Sequence, residues 1–67
     1  MLPAPMRKLQ QANLDSVQNA LANAATRLVR FQMIYGERYP NMAELAKQIE
    51  DKIKGAFLQA KALRDCL

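Results

Sequence analysis

Two long runs of apolar residues at alternating steps of three and four constrain the fold of this chain more than any other feature. The first run lies in the amino-terminal half: Leu14, Val17, Leu21, Ala24, Leu28, Phe31 and Tyr35. The second lies in the carboxy-terminal half: Met42, Ala46, Ile49, Ile53, Ala56, Ala60, Leu63 and Leu67. This spacing is typical of α-helices that pack lengthwise. The sequence therefore predicts an all-α fold, with helices over about residues 10–35 and 42–66.

The stretch between the runs, YGERYPN, has the composition of a turn. Gly36 follows the first run, where many helices end on a glycine in the left-handed conformation. Pro40 cannot continue a helix from upstream, and Asn41 with Glu44 three residues later resembles a capping box. We therefore predict a turn over 36–41 and an antiparallel two-helix hairpin over 10–67, preceded by an amino-terminal extension over 1–9. Pro3 and Pro5 either keep this extension out of the helix or place Pro5 in a first helical turn.

Folding back at this turn would pair large residues of one run with small residues of the other. Leu21 would face Ala56, and Phe31 would face Ala46. Facing helices interdigitate best when large and small side chains alternate, so the pairing supports a hairpin whose seam is formed by the two runs.

A hairpin of this size shares only one seam, and a chain of 67 residues buries a small fraction of its surface. Further apolar or small residues lie outside that seam, as a second stripe: Ala25, Val29, Met33, Ile34, Gly55, Phe57, Leu58 and Ala62. Helices that are apolar on two faces are buried on two sides. We predict that the second stripe binds protein, either a second copy or a helical partner chain, and so completes a helical bundle.

The basic residues allow two further interpretations. The formal net charge is +4, which favours acidic partners but does not demand nucleic acid. Lysines recur every seven residues along the second helix, beside interleaved acids, a pattern more typical of a solvated, salt-bridged face than of phosphate contacts. Basic and aromatic residues near the turn are either solvated or act as anchors for protein or single-stranded nucleic acid: Arg27, Arg30, Arg38 and Tyr39.

The composition argues against catalysis. The chain has no histidine and a single cysteine, which excludes the usual zinc sets and a Cys-His nucleophile pair. We expect no enzyme activity, cofactor, metal or small-molecule ligand. Cys66 without a disulfide partner favours a reducing compartment, and hence the cytoplasm. No apolar run is long enough to span a membrane, and the Ala-rich seams with mixed charges differ from membrane-surface helices.

The function that these features predict is a non-catalytic assembly module, such as an adaptor, a small chaperone-like protein or a scaffold subunit. It would act by helix–helix packing through the second stripe. The alternative is a small basic regulator that binds nucleic acid as a dimer of helical hairpins, with binding that falls steeply as salt rises.

Overall fold

The computed structural model describes residues 2–67, and in this range the chain forms two α-helices joined by a short turn. Helix α1 spans Ala4–Tyr35 and helix α2 spans Pro40–Cys66. The helices contact each other along their length and form a rod of 52 × 14 × 10 Å. The predicted all-α, two-helix hairpin is thus confirmed, while its completion to a bundle stays a prediction.

Helix α1 begins at Ala4 and not near residue 10, so most of the segment predicted as an extension continues the helix. The reason lies in the position of Pro5, which falls in the first helical turn, where a backbone N–H has no helical partner to lose. The N–H of Arg7 donates to the carbonyl of Pro3 at 2.8 Å and closes that first turn. No side chain caps this end of the helix.

Gly36 does not adopt the left-handed conformation, so this part of the turn prediction is wrong. Its φ and ψ are −59° and −38°, and its N–H donates to the carbonyl of Gln32 at 2.8 Å, as in a helix. A Cβ at this position would collide with the Gln32 carbonyl oxygen and would lie 3.9 Å from the Cβ of Ala43. Glycine is therefore favoured here by close packing at the turn.

Helix α2 begins one residue earlier than Asn41, and the predicted capping box is absent. Tyr39 is the N-cap residue, Pro40 occupies the first turn, and no side chain makes a capping hydrogen bond. Pro40 suits this place because its fixed φ matches the helix and its missing N–H would be unpaired in any case. The N–H of Tyr39 donates to the carbonyl of Tyr35 at 2.8 Å, which ties the two helix ends together.

The two glycines give a matched pair of substitutions with opposite expected signs. Gly36→Ala should lower the melting temperature, because the new Cβ collides with backbone. Gly55→Ala should raise the free energy of unfolding by about 1 kcal/mol, since nothing lies within 4 Å of an added Cβ and alanine is the better helix former. Thermal melting followed by circular dichroism checks both. A destabilised Gly55→Ala variant would instead indicate that a partner packs closely on this glycine.

Candidate functional site

The contact between the helices runs along one line on each, here called the central seam, and six of its sixteen positions are polar. Its residues are buried or half-buried and follow one another at steps of three and four. On α1 they are Arg7, Gln11, Leu14, Gln18, Leu21, Ala25, Leu28 and Gln32. On α2 and its C-cap residue they are Ala43, Ala46, Glu50, Ile53, Phe57, Ala60, Arg64 and Leu67. Within residues 2–67, Ala46 is the one buried apolar residue, at 5% exposed.

The structure places half of the predicted seam residues in the central seam and the other half beside it. Inside the central seam are Leu14, Leu21, Leu28, Ala46, Ile53 and Ala60. The others lie beside it: Val17, Ala24, Phe31, Tyr35, Ile49, Ala56 and Leu63. Each of these residues comes one position before a residue of the central seam, except Tyr35, which comes one position before Gly36. One residue corresponds to about 100° of rotation about a helix axis, so these side chains are displaced toward solvent.

The displaced residues of both helices meet on one side of the hairpin, here called the apolar face. It comprises Val17, Ala24, Phe31, Met42, Ile49, Ala56 and Leu63. Val17 is 44% exposed, Ile49 49% and Leu63 54%. In an antiparallel pair, positions that precede the seam by one residue on each helix lie on the same side, which is why these side chains come together.

Two grooves extend the apolar face toward its ends. The groove near the turn, of about 270 Å³, has an apolar lining formed by Leu28, Phe31, Met42, Leu45, Ala46 and Ile49. The groove near the chain termini, of about 360 Å³, is lined by Leu2, Met6, Gln10, Leu14, Leu63 and Leu67. The face is therefore apolar from one end of α2 to the other.

The opposite side of the hairpin, here called the lysine face, carries Lys47, Lys54 and Lys61. Its groove of about 390 Å³ is lined by Leu21, Ala22, Ala25, Ile53, Lys54, Phe57 and Leu58. The predicted second stripe is divided between this groove and other surfaces. Ala25 and Phe57 are half-buried in the central seam, and Leu58 lines the groove.

The remaining residues of the second stripe lie outside that groove. Val29 is 38% exposed, Met33 79% and Ile34 69%. Gly55 and Ala62 are exposed on α2, and Ile34 follows Phe31 by three residues, which places it toward the apolar face. The structure therefore brings Ala25, Phe57 and Leu58 together but leaves the rest of the stripe dispersed.

Glu50 lies in the central seam, only 3% exposed, and links the helices through a polar network. The Gln32 amide Nε2 donates to Glu50 Oε1 at 2.8 Å, and Lys54 Nζ lies 2.5 Å from Glu50 Oε2. Lys47 Nζ lies 3.9 Å from the same oxygen. The hydrogen bonds from Lys54 and Gln32, with the attraction of both lysines, lower the pKa of Glu50 although burial acts in the opposite direction.

Two of the three lysines of the lysine face, Lys47 and Lys54, are engaged by acids of their own helix. The hydrogen bond and charge of Glu50 raise the pKa of Lys54. Lys47 Nζ lies 3.3 Å from Asp51 Oδ1, in an ordinary i,i+4 pair. These contacts favour the salt-bridged interpretation of the lysine row over contacts with phosphates.

A second ionic contact joins the helices near the chain termini. Arg64 Nε lies 2.6 Å from Asp15 Oδ1, and the two groups belong to different helices. Together with the Gln32–Glu50 hydrogen bond, it places one polar link toward each end of the hairpin. Such links select the register and rotation at which two helices meet.

Sequence reasoning missed the roles of Gln32 and Glu50. The signal was present, because Gln11, Gln18, Ala25 and Gln32 recur every seven residues and form a line that is mostly amide-bearing. A polar line at heptad spacing indicates seam positions that pair across helices. The seam predicted from the sequence rests on apolar residues alone and therefore omits this line.

The predicted anchors lie at the turn end of the hairpin. Arg27 and Arg30 are exposed on α1, and Arg38 is exposed in the turn. Tyr39 is 46% exposed, and its ring centroid lies 6.2 Å from that of Tyr35, which is 4.8 Å from that of Phe31. The three rings form an aromatic ladder that continues the apolar face around the turn.

Comparison with known protein families, curated proteins and solved structures finds no match to this chain. The functional conclusion therefore depends on the geometry of the hairpin. Neither α1 nor α2 contains a segment with the length and apolar character needed to cross a membrane. Within residues 2–67, no three acidic or cysteine side chains lie close enough together to hold a metal ion.

Proposed function

We propose that this chain is a non-catalytic assembly module, of the adaptor, small chaperone-like or scaffold-subunit kind, that binds protein through its exposed apolar surface. The observation that carries the proposal is the apolar face. Large side chains such as Val17, Ile49 and Leu63 are about half exposed along its length, while the contact between the helices holds Glu50 and Gln32.

This distribution is the reverse of what an independent globule needs. Burial of apolar surface is the main force that stabilises a folded chain, and Ala46 contributes little of it. Contiguous exposed apolar surface on a small protein marks a site of interaction with another macromolecule. A partner that covered the apolar face would supply the core that the hairpin lacks.

The partner surface that fits best is another helical one. The apolar face is a long, shallow strip between two helices, and further helices pack into such strips with knobs-into-holes contacts. Tyr39 and Arg38 are exposed at the turn, and both are residue types that commonly anchor protein interfaces. They would contact the part of the partner that reaches past the apolar face at the turn.

The proposal is tested on the purified chain by three measurements at one protein concentration. They are helicity by circular dichroism, solution mass by light scattering, and fluorescence of an apolar dye that binds exposed hydrophobic surface. We expect either an assembled, helical species or a monomer that is weakly helical or binds the dye. A fully helical monomer with a cooperative melt and no dye binding would contradict the proposal, because its apolar face would need no partner.

A further inference from the structure

We infer that the occupant of the apolar face is a second copy of this chain, so that two hairpins pair face to face as an antiparallel four-helix bundle. The inference rests on the proposed function and names the partner. Three features of the apolar face support it: its size, its lack of charge, and the distribution of large and small side chains along it.

The size of the hairpin suits a dimer. The hairpin is 52 Å long and 14 Å wide, so one whole side, which includes the apolar face, its end grooves and its borders, covers roughly 700 Å². A pair that met over that whole side would bury about 1,400 Å². Stable protein–protein interfaces bury about 1,200–2,000 Å² in total. A second hairpin is long enough to cover the strip from one end of α2 to the other, which a shorter partner helix would not be.

The line of residues that defines the face, from Val17 to Phe31 and from Met42 to Leu63, carries no charge, and this suits a symmetric interface. A two-fold axis sets each surface against its own copy, so a charge near the axis would meet the same charge. The positions that form the face carry only apolar side chains, and the lysines lie on the opposite side of the hairpin. No complementary charge is needed from a different partner.

Side-chain size varies along the face in a way that suits a two-fold axis at its middle. Ala24 and Ala56 occupy the middle, whereas Phe31 and Ile49 lie toward the turn and Leu63 lies toward the chain termini. Small residues at the axis let the two hairpins approach closely. With the copies antiparallel, Leu63 of one lies at the level of the groove beside Phe31 and Ile49 of the other.

The flanking charges select the antiparallel arrangement over the parallel one. Arg27 and Lys52 follow Ala24 and Ile49 by three residues, so they border the apolar face at nearly the same height. A parallel pair would set these cations against the same cations of the second copy. An antiparallel pair sets them opposite Ala20 and Gln59, which carry no charge.

Light scattering across a range of concentrations tests self-pairing, with variants on each side of the hairpin. The monomer mass is 7.6 kDa, and we expect twice that value for the unaltered chain. Val17→Glu with Ile49→Glu, on the apolar face, should halve the mass to that of the monomer. Val29→Glu with Leu58→Glu, away from that face, is the matched control and should leave the dimer intact.

Single-cysteine variants test the arrangement without a need for destabilising charges. In a Cys66→Ser chain, Ala24→Cys should form a covalent dimer under mild oxidation, because the axis brings the two copies of this residue together. Ile49→Cys should not, since it lies about 10 Å from the middle of the face and the two copies would be about 20 Å apart. A disulfide needs Cα atoms about 4.4–6.8 Å apart. Ala62→Cys, on the outer surface, serves as a second negative control.

The outcomes are separable. A monomeric unaltered chain overturns self-pairing, and the dye and helicity measurements then decide independently whether the proposed function stands. If the substitutions at Val29 and Leu58 dissociate the dimer and those at Val17 and Ile49 do not, the apolar face is not the interface. Disulfide formation by Ile49→Cys but not by Ala24→Cys overturns the antiparallel arrangement.

Discussion

Ala46→Asp is expected to lower the free energy of unfolding by about 3 kcal/mol or more. Ala46 is 5% exposed in the central seam, and the short aspartate side chain cannot reach solvent from there. The new carboxylate would lie one helical turn from Glu50, whose charge is already held in the seam, so it gains repulsion and no partner. An unpaired buried charge is among the most destabilising single changes.

The measurement is thermal melting at neutral pH, where about 3 kcal/mol corresponds to a fall of roughly 10–25 °C for a domain of this size. Ala62→Asp is the matched control, because Ala62 lies exposed on the same helix. It should cost less than about 1 kcal/mol, chiefly through the lower helix propensity of aspartate. Equal losses at the two positions would show that Ala46 is not enclosed by α1.

The second large effect is a loss of helical structure in acid that depends on Glu50. Hydrogen bonds from Lys54 and Gln32 lower the pKa of Glu50 in the folded chain below its ordinary value of 4.5. A carboxyl whose pKa is lowered by folding contributes stability that is complete above its unfolded pKa. That stability is lost as the pH falls through the folded pKa, so we expect unfolding to become easier below about pH 4.5.

The alkaline side has the opposite sign. The pKa of Lys54 is raised above its ordinary value of 10.5 by its contact with Glu50. Its contribution to stability is therefore complete below 10.5 and is lost only as the pH rises through the folded pKa. The Glu50–Lys54 pair should therefore give a broad pH range of constant stability between about pH 4.5 and 10.5. The fall in stability on the acid side of this range, here called the acid limb, depends on Glu50.

Glu50→Gln isolates the acid limb. The variant should melt at a lower temperature than the unaltered chain at pH 7, because the amide has no charge to attract Lys54 and Lys47. The two chains should converge as the pH falls through the lowered pKa of Glu50, since both then hold a neutral group at this position. Glu44→Gln, at an exposed site of the same helix, should keep the full acid limb. An unchanged acid limb in Glu50→Gln would show that other carboxylates control acid unfolding.

Local signals in the sequence were sufficient for the number of helices and for their antiparallel return. The apolar runs at steps of three and four required helices, and Gly36 with Pro40 required a break between them. The sequence leaves the boundary at Ala4 open, because Pro3 and Pro5 fit an extended segment. A proline in the first turn of a helix gives the same local pattern, and only the hydrogen bonding of Arg7 distinguishes the two.

The rotation of each helix about its axis was decided by tertiary structure. About half of the chain, 51%, is hydrophobic, so apolar residues cover more than one stripe of each helix and the 3–4 spacing fits two adjacent seams. The two seams differ by one residue at every other position and share the positions between: Leu14, Leu21 and Leu28 on α1, and Ala46, Ile53 and Ala60 on α2. Apolar periodicity cannot choose between them, because both bury leucine every seven residues.

The choice between the seams depends on pairs of residues far apart in sequence. Gln32 with Glu50, and Asp15 with Arg64, meet only when both helices are turned so that Ile49 and Leu63 face outward. The sequence by itself determined an amphipathic hairpin with more apolar surface than one seam can bury. Only the packing of one helix on the other decided which part of that surface remains exposed, because a directional polar contact depends on where both partners lie in space.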